Sequence, residues 1–346
     1  MFNTLQNTFL DFFEEQNDIK EMSAREFYNS LDKNSLNNII VTYYILSKNE
    51  EDLKDYIGYK PKKSEMVDFI CENLKEIIKS CLINCELDTC NEILSIASKK
   101  GIRKFDDGNF KPLLSIVDLK LGCVKYDKKT KKMLIFIPEE IRKNIIRIFK
   151  DANIVECIKE NDNLGNIILG IMSTYGVIEL DRLAELLELD SNYLLEYILR
   201  RKVSNEICEV CYNNGNILVG SLGLDEKFML DLNEMHKKYN IRKYSLDDYK
   251  KIECGEYLEG LRPYKKLFKY LKDKYGFSNP DLILFRDMIV LNYITNIEQK
   301  EYDETEALHR DLVDFIEKDE VEYKKIEKMI KDIYKEYPKW EKFGNI

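Results

Sequence analysis

The sequence predicts a mainly α protein: a multi-module helical chain with two winged-helix-like units, each carrying a short β-hairpin, and a C-terminal helical domain. Three observations lead there. Apolar residues recur at i, i+3, i+4 spacing along most of the 346 residues, the period of a helix with one buried face. Only 14 Gly and 6 Pro punctuate the chain, few for the sharp turns of a sandwich or barrel. Two stretches replace the helical period with paired short apolar runs around a polar tip, the mark of a hairpin.

Residues 1–85 read as a helical module. Leu5, Phe9, Phe12 and Phe13 lie at helical spacing, and Leu36, Ile39, Ile40, Tyr43 and Tyr44 form a stripe. Met66, Phe69, Ile70, Leu74, Ile77 and Ile78 form another. The loop between these two stripes holds Gly58, Lys60, Pro61, Lys62 and Lys63, and Ser64 is placed to cap the helix that follows.

Residues 86–150 read as a basic winged-helix-like module. Helices are expected over 87–99 and 111–120. Cys123–Tyr126 and Met133–Ile137 then form two strands around the polar tip Asp127–Lys132. Pro138 stops the second strand and opens a helix over 139–150, with Glu139 and Glu140 suited to its N-terminus.

Residues 151–222 repeat this plan. Leu164, Ile167, Ile168, Ile171, Met172 and Tyr175 define a first helix that Gly176 ends. Leu180, Leu183, Leu186 and Leu187 mark a second, and 191–202 a third. Ile207–Tyr212 and Ile217–Gly220 flank an Asn214-Gly215 turn, a strong hairpin signal. Three helices followed by a hairpin is the order of a winged helix, whose third helix enters a groove where such a module binds DNA. From 223 to 346 the stripes are helical throughout, with Gly255, Gly260, Pro263, Gly276 and Pro280 in the linkers.

The net charge of −9 is unevenly spread. Residues 95–150 hold 15 basic and 6 acidic side chains, net +9, while 1–94 carry −8, 151–222 carry −7 and 223–346 carry −3. A compact basic segment in an acidic chain suits phosphate backbones, because binding releases condensed counterions. It equally suits docking on the chain's own acidic modules. The candidate contacts are Lys125, Lys128, Lys129, Lys131, Lys132, Arg142 and Lys143. The hairpin tip sets four ammonium groups on a projection from which a wing touches phosphates without reading sequence. A solvated turn is the competing reading, since lysine also blunts sheet edges. Arg200-Arg201-Lys202, in an acidic module, is better read as complementing a helix C-terminus.

Nine cysteines, an odd count, with a polar stretch at Met1–Gln16 and no secretory h-region, point to free thiols in the cytoplasm. The longest apolar run, 282–293, is broken by Arg286 and Asp287 and is short of the roughly 20 residues of a membrane span. Cys208 and Cys211 have CxxC spacing, but structural zinc needs four ligands and no second pair follows. His236 and His309 lack a nucleophile signature, and no phosphate-loop, dinucleotide or HExxH motif occurs. No catalytic residue, cofactor or metal is therefore predicted.

Two stretches carry a resemblance. Gly58-Tyr-Lys-Pro-Lys-Lys-Ser-Glu-Met-Val-Asp-Phe-Ile70, within 36–80, resembles the SAP-like helix-extended-helix of Rho-factor N-terminal domains. Tyr244 through Tyr264 to Tyr337-Pro-Lys-Trp340 resembles the helical region of uncharacterised SEC-C-containing proteins of clostridia and relatives. In those proteins a Pro-x-Trp precedes a cysteine-rich metal-binding tail. No such stretch follows Trp340, so the resemblance implies neither a metal site nor a defined activity.

These readings converge on a non-enzymatic, nucleic-acid-associated or regulatory protein of a low-GC Gram-positive bacterium or its mobile elements. DNA or RNA would be met through 95–150, with no membrane involved. A protein–protein adaptor with purely structural winged helices is the main alternative. An enzyme whose carboxylates converge only in the fold is a third.

Overall fold

The computed structural model describes residues 22–47, 50–59, 61–99, 102–105, 111–127, 132–204, 207–213, 215–287 and 320–345. It is mainly α-helical, with two small antiparallel sheets. Contacts divide the chain into two compact units. The first comprises the described residues up to Asn163 together with Leu199–Asn205; the second comprises Leu164–Ile198 and the described residues from Glu206 onward.

The first unit opens with α1 (Ala24–Ser30), α2 (Lys33–Leu46), α3 (Glu50–Tyr59), α4 (Lys63–Glu72), α5 (Leu74–Ile83) and α6 (Leu87–Ser98). Ser23 and Glu26 cap α1 reciprocally, and Asp32 accepts from the Ser35 N–H to start α2. The start of α4 differs from expectation: Lys62, not Ser64, stands at its N-cap. The Lys62 N–H donates to the Glu65 carboxylate at 2.7 Å, which moves the boundary back and leaves Ser64 inside the first turn. The stripe from Met66 to Ile78 is split between α4 and α5 at Asn73. Its side-chain amide donates to the Phe69 carbonyl at 2.9 Å, competing with the helical ladder.

A second layer follows: β1 (Ile102–Phe105), α7 (Lys111–Asp118), β2 (Cys123–Asp127), β3 (Lys132–Phe136) and α8 (Glu139–Ile148). The expected hairpin is β2–β3, and β1 joins it as a third strand in the order β1-β3-β2. Residues 1–85 and 86–150, distinct in charge, share one core. Leu36, Ile40, Ile70, Ile78 and Ile93 from the helices and Ile135, Ile141 and Ile145 from the basic segment belong to a single buried cluster.

Helix α9 (Ala152–Tyr175) begins twelve residues before the expected stripe, and its part from Leu164 onward opens the second unit. Gly176 ends it at φ +72°, and a Cβ there would sit 2.5 Å from the Trp340 ring, so glycine is needed for both conformation and space. Then come β4 (Val177–Glu179), α10 (Leu180–Leu187), α11 (Ser191–Ser204), β5 (Glu209–Asn213) and β6 (Asn216–Gly220). The element order is helix, strand, helix, helix, hairpin, and the sheet order is β4-β6-β5. The Asn213↔Asn216 pair closes the hairpin over the expected two-residue turn, with Gly215 at φ +88°; Asn214 lies outside the described residues.

The unit continues with α12 (Glu226–His236), α13 (Leu246–Glu253), α14 (Glu256–Gly260) and α15 (Arg262–Tyr275), a helical stretch described over 279–287, and α16 (Glu320–Tyr334). The closing segment 337–345 ties this unit together. Tyr337, Phe343 and Trp340 enter three different buried clusters, and the Trp340 indole N–H donates to the Ser173 carbonyl at 2.9 Å. Among the described residues no helix is long and apolar enough to cross a membrane.

Candidate nucleic-acid interface

The sheet of the first unit brings two of its basic residues to one register position. With β3 in the centre, Lys104 of β1 and Lys125 of β2 both register opposite Leu134, and Asp127 registers opposite Lys132. β1 thus sets Lys104 at the same register position as Lys125 of the hairpin. Lys128, Lys129 and Lys131 lie outside the described residues.

Helix α8 forms the second part. Ile141, Ile145 and Ile148, spaced i, i+4, i+7, are buried, which turns Lys143 and Arg147 outward; Lys150 is exposed in the turn that follows. Lys143 pairs with Glu139 at 2.7 Å, one turn back, and its ammonium holds Glu139 below the usual carboxylate range. Arg142 is half-buried. Glu140 is turned to structural use, accepting from the Ala24 N–H at 3.0 Å and so joining α1 to α8. Arg147 and Lys150 have no ion-pair partner among the described residues. They were absent from the sequence-derived set, although the spacing 143, 147, 150 on a helix with a clear apolar face was signal enough.

Beside α8 lies a cleft of about 420 Å³ lined by Ala24, Arg25, Cys71, Glu72, Lys75 and Glu140 among others. Its charges balance, and nothing in it is primed for chemistry. Burial raises the Cys71 thiol, with the nearby Arg25 only opposing that shift. Cys81 is pushed up to about 12 by burial, and Cys90 is raised by its contact with Cys85 and by burial. All three remain protonated near neutral pH, the inert form of a cysteine.

The other sequence candidates take structural roles. Cys208 and Cys211 are buried in different clusters, because positions three apart in an extended chain face opposite sides of the sheet. They cannot chelate one ion as a pair. Among the described residues no group of three or more His, Cys, Asp and Glu is placed to hold a metal. His236 is a core residue: its Nε2 lies 2.6 Å from the Trp340 carbonyl oxygen and its ring stacks on Phe343 at 4.2 Å. Burial, opposed by the hydrogen bond to Trp340 and aided by Arg182, holds its pKa down to about 4, so it is neutral at physiological pH. His309 lies outside the described residues.

Arg201 corrects the reading of the Arg200–Lys202 run. It does complement a helix C-terminus, but not its own: it is 1% exposed and donates to the carbonyl of Asn84, the C-cap of α5, at 2.6 Å. A buried guanidinium needs a strong acceptor, and unsatisfied carbonyls at a helix end supply one. The outer surface of α11, the helix that would enter a groove, instead exposes Tyr193 at 42% and Leu199 at 41%. Compared with known proteins, the chain matches no family model, no curated protein and no solved structure.

Proposed function

We propose that this chain is a non-enzymatic, nucleic-acid-associated regulatory protein whose basic segment, 95–150, contacts the phosphate backbone of DNA or RNA. The observation that carries this reading is the outward row Lys143, Arg147 and Lys150, the last two without ion-pair partners, on a module whose sheet also aligns Lys104 with Lys125. Cations held outward on a rigid helix cost nothing to desolvate at rest and gain counterion release on binding. The contacts are to phosphate and carry no sequence information. The purified protein should hold DNA or RNA at low salt and release it steeply as salt rises. Changing Lys128, Lys129, Lys131 and Lys132 to Ala should weaken binding equally for all sequences. Absence of binding at low salt would refute the reading.

One observation favours a second reading, a protein–protein adaptor. Tyr193 of α11 is 42% exposed and its module carries −7, the wrong sign for a nucleic acid and a suitable one for a basic protein partner. In that reading the second winged helix is a docking module, and Tyr193→Ala would weaken partner capture while leaving nucleic-acid binding intact.

A further inference from the structure

Helix α15 carries a cationic face that the acidic balance of the C-terminal region conceals. The helix buries Tyr264, Leu267, Phe268 and Leu271, spaced i, i+3, i+4, i+7, in one cluster with Ile326, Ile330 and Ile333 of α16. Its opposite face holds Arg262, Lys265, Lys266, Lys269 and Lys272, all exposed, with Asp273 as the one acidic residue of the helix. From Arg262 to Lys272 the row runs about 15 Å along the axis, at 1.5 Å per residue.

Among the described residues the row as a whole lacks ion-pair partners. Several exposed lysines on other helices are instead neutralised one turn away: Lys143 by Glu139, Lys237 by Glu234, Lys251 by Asp247, Lys331 by Glu327 and Lys335 by Asp332. Among the described residues Arg262, Lys265, Lys266 and Lys269 have no ion pair, and Lys272 donates to the neutral amide of Asn279 at 2.8 Å. Asp332, the acid that senses Lys266, is already hydrogen-bonded to Lys335. Like charges three and four apart oppose helix formation, so the buried face holds this row in place against its own repulsion.

We infer that the outer face of α15 is a second phosphate-backbone contact surface, whose partner is a nucleic acid. A straight row of long, unpaired cations matches a linear polyanion of regular charge. A duplex presents about nine phosphate charges over 15 Å of axis, at one per 1.7 Å. An anionic membrane fits less well, because an interfacial helix inserts an apolar face and that of α15 is occupied. An acidic protein fits less well too, because lysine is depleted in the cores of protein interfaces and this face presents no aromatic anchor. The surface lies in the second unit and does not depend on the basic segment of the first.

The test uses the full chain and fluorescence anisotropy on a labelled 20-base-pair duplex between 50 and 200 mM KCl. Phosphatidylserine vesicles and polyglutamate serve as competing probes. Replacing Lys265, Lys266, Lys269 and Lys272 by Gln should lower affinity about tenfold or more at 50 mM and flatten the salt slope by up to about 0.9 per lysine. The matching Lys→Arg variant should bind like the parent, which separates lost charge from lost folding. A Lys143→Gln, Arg147→Gln, Lys150→Gln variant is measured in parallel. Loss in that variant alone overturns the α15 surface and leaves the first-unit reading standing; loss in the α15 variant alone does the reverse. A parent protein that binds vesicles or polyglutamate but not the duplex also overturns the inference.

Discussion

The two three-stranded sheets have the same strand order and opposite chemistry. In the first, the cross-strand rows are Arg103–Ile135–Val124 and Lys104–Leu134–Lys125; in the second, the equivalent rows are Ile178–Val219–Val210 and Glu179–Leu218–Cys211. Central-strand positions are apolar in both, and Leu134, Ile135, Leu218 and Val219 are buried. Three of the four edge-strand positions in these rows are basic in the first sheet, the fourth being Val124, whereas those of the second are apolar or acidic. The central strand, packed on both sides by neighbours, determines the topology, while the edges are free to take a charge. One strand order therefore accommodates edges of either charge, and fold alone does not assign a function.

The comparison breaks most readily at its centre. Ile135→Ala should cost the first unit about 2–5 kcal/mol through lost burial and a residual cavity. Val219→Ala should cost the second about 2 kcal/mol, since it deletes less of a side chain. Hydrogen exchange by mass spectrometry should show lost protection within 24–158 for the first change and within 164–343 for the second. Loss spread over both units in either case would mean that the two cores unfold as one.

Acid should separate the units next. Folded protein keeps His236 neutral down to about pH 4, whereas the unfolded chain takes up that proton near pH 6.5. Between those values the unfolded state binds more protons, so this contribution is complete above about pH 6.5 and is lost as pH falls towards 4, amounting to about 3 kcal/mol. Denaturant midpoints of the second unit should drop over that window and flatten in His236→Gln. An equal drop in the variant would assign the acid sensitivity to other groups.

Charge should sharpen the contrast between the wings. Lys143→Gln, Arg147→Gln and Lys150→Gln together should flatten the salt slope of nucleic-acid binding by up to about 2.7. Tyr193→Ala, on the second unit, should leave that slope alone. The smallest effect is expected at the second hairpin turn. Gly215 sits at φ +88° with open space where a Cβ would go. Gly215→Ala should therefore cost only backbone strain, about 1 kcal/mol, visible as a small shift in thermal midpoint. Gly176→Ala, with the Trp340 ring 2.5 Å from its Cβ, should cost more.

By itself the sequence determined the helices with a strong stripe, both hairpins and the charge map, because these depend on neighbours within one or two turns. Leu164 to Tyr175, the Asn214-Gly215 turn and Pro138 were legible for that reason. Strands β1 and β4 were not, since three or four residues carry no period of their own and become strands only when β3 and β6 pair with them. The row Lys143, Arg147 and Lys150 was legible in its helical spacing though not read as one surface, and the burial of Ile141, Ile145 and Ile148 turns it outward. Tertiary structure alone decided that residues 1–85 share a core with 86–150, that Cys208 and Cys211 face apart, and that Arg201 caps α5. Each joins groups distant in sequence, and what joins them is the requirement that buried apolar faces meet and buried charges find acceptors.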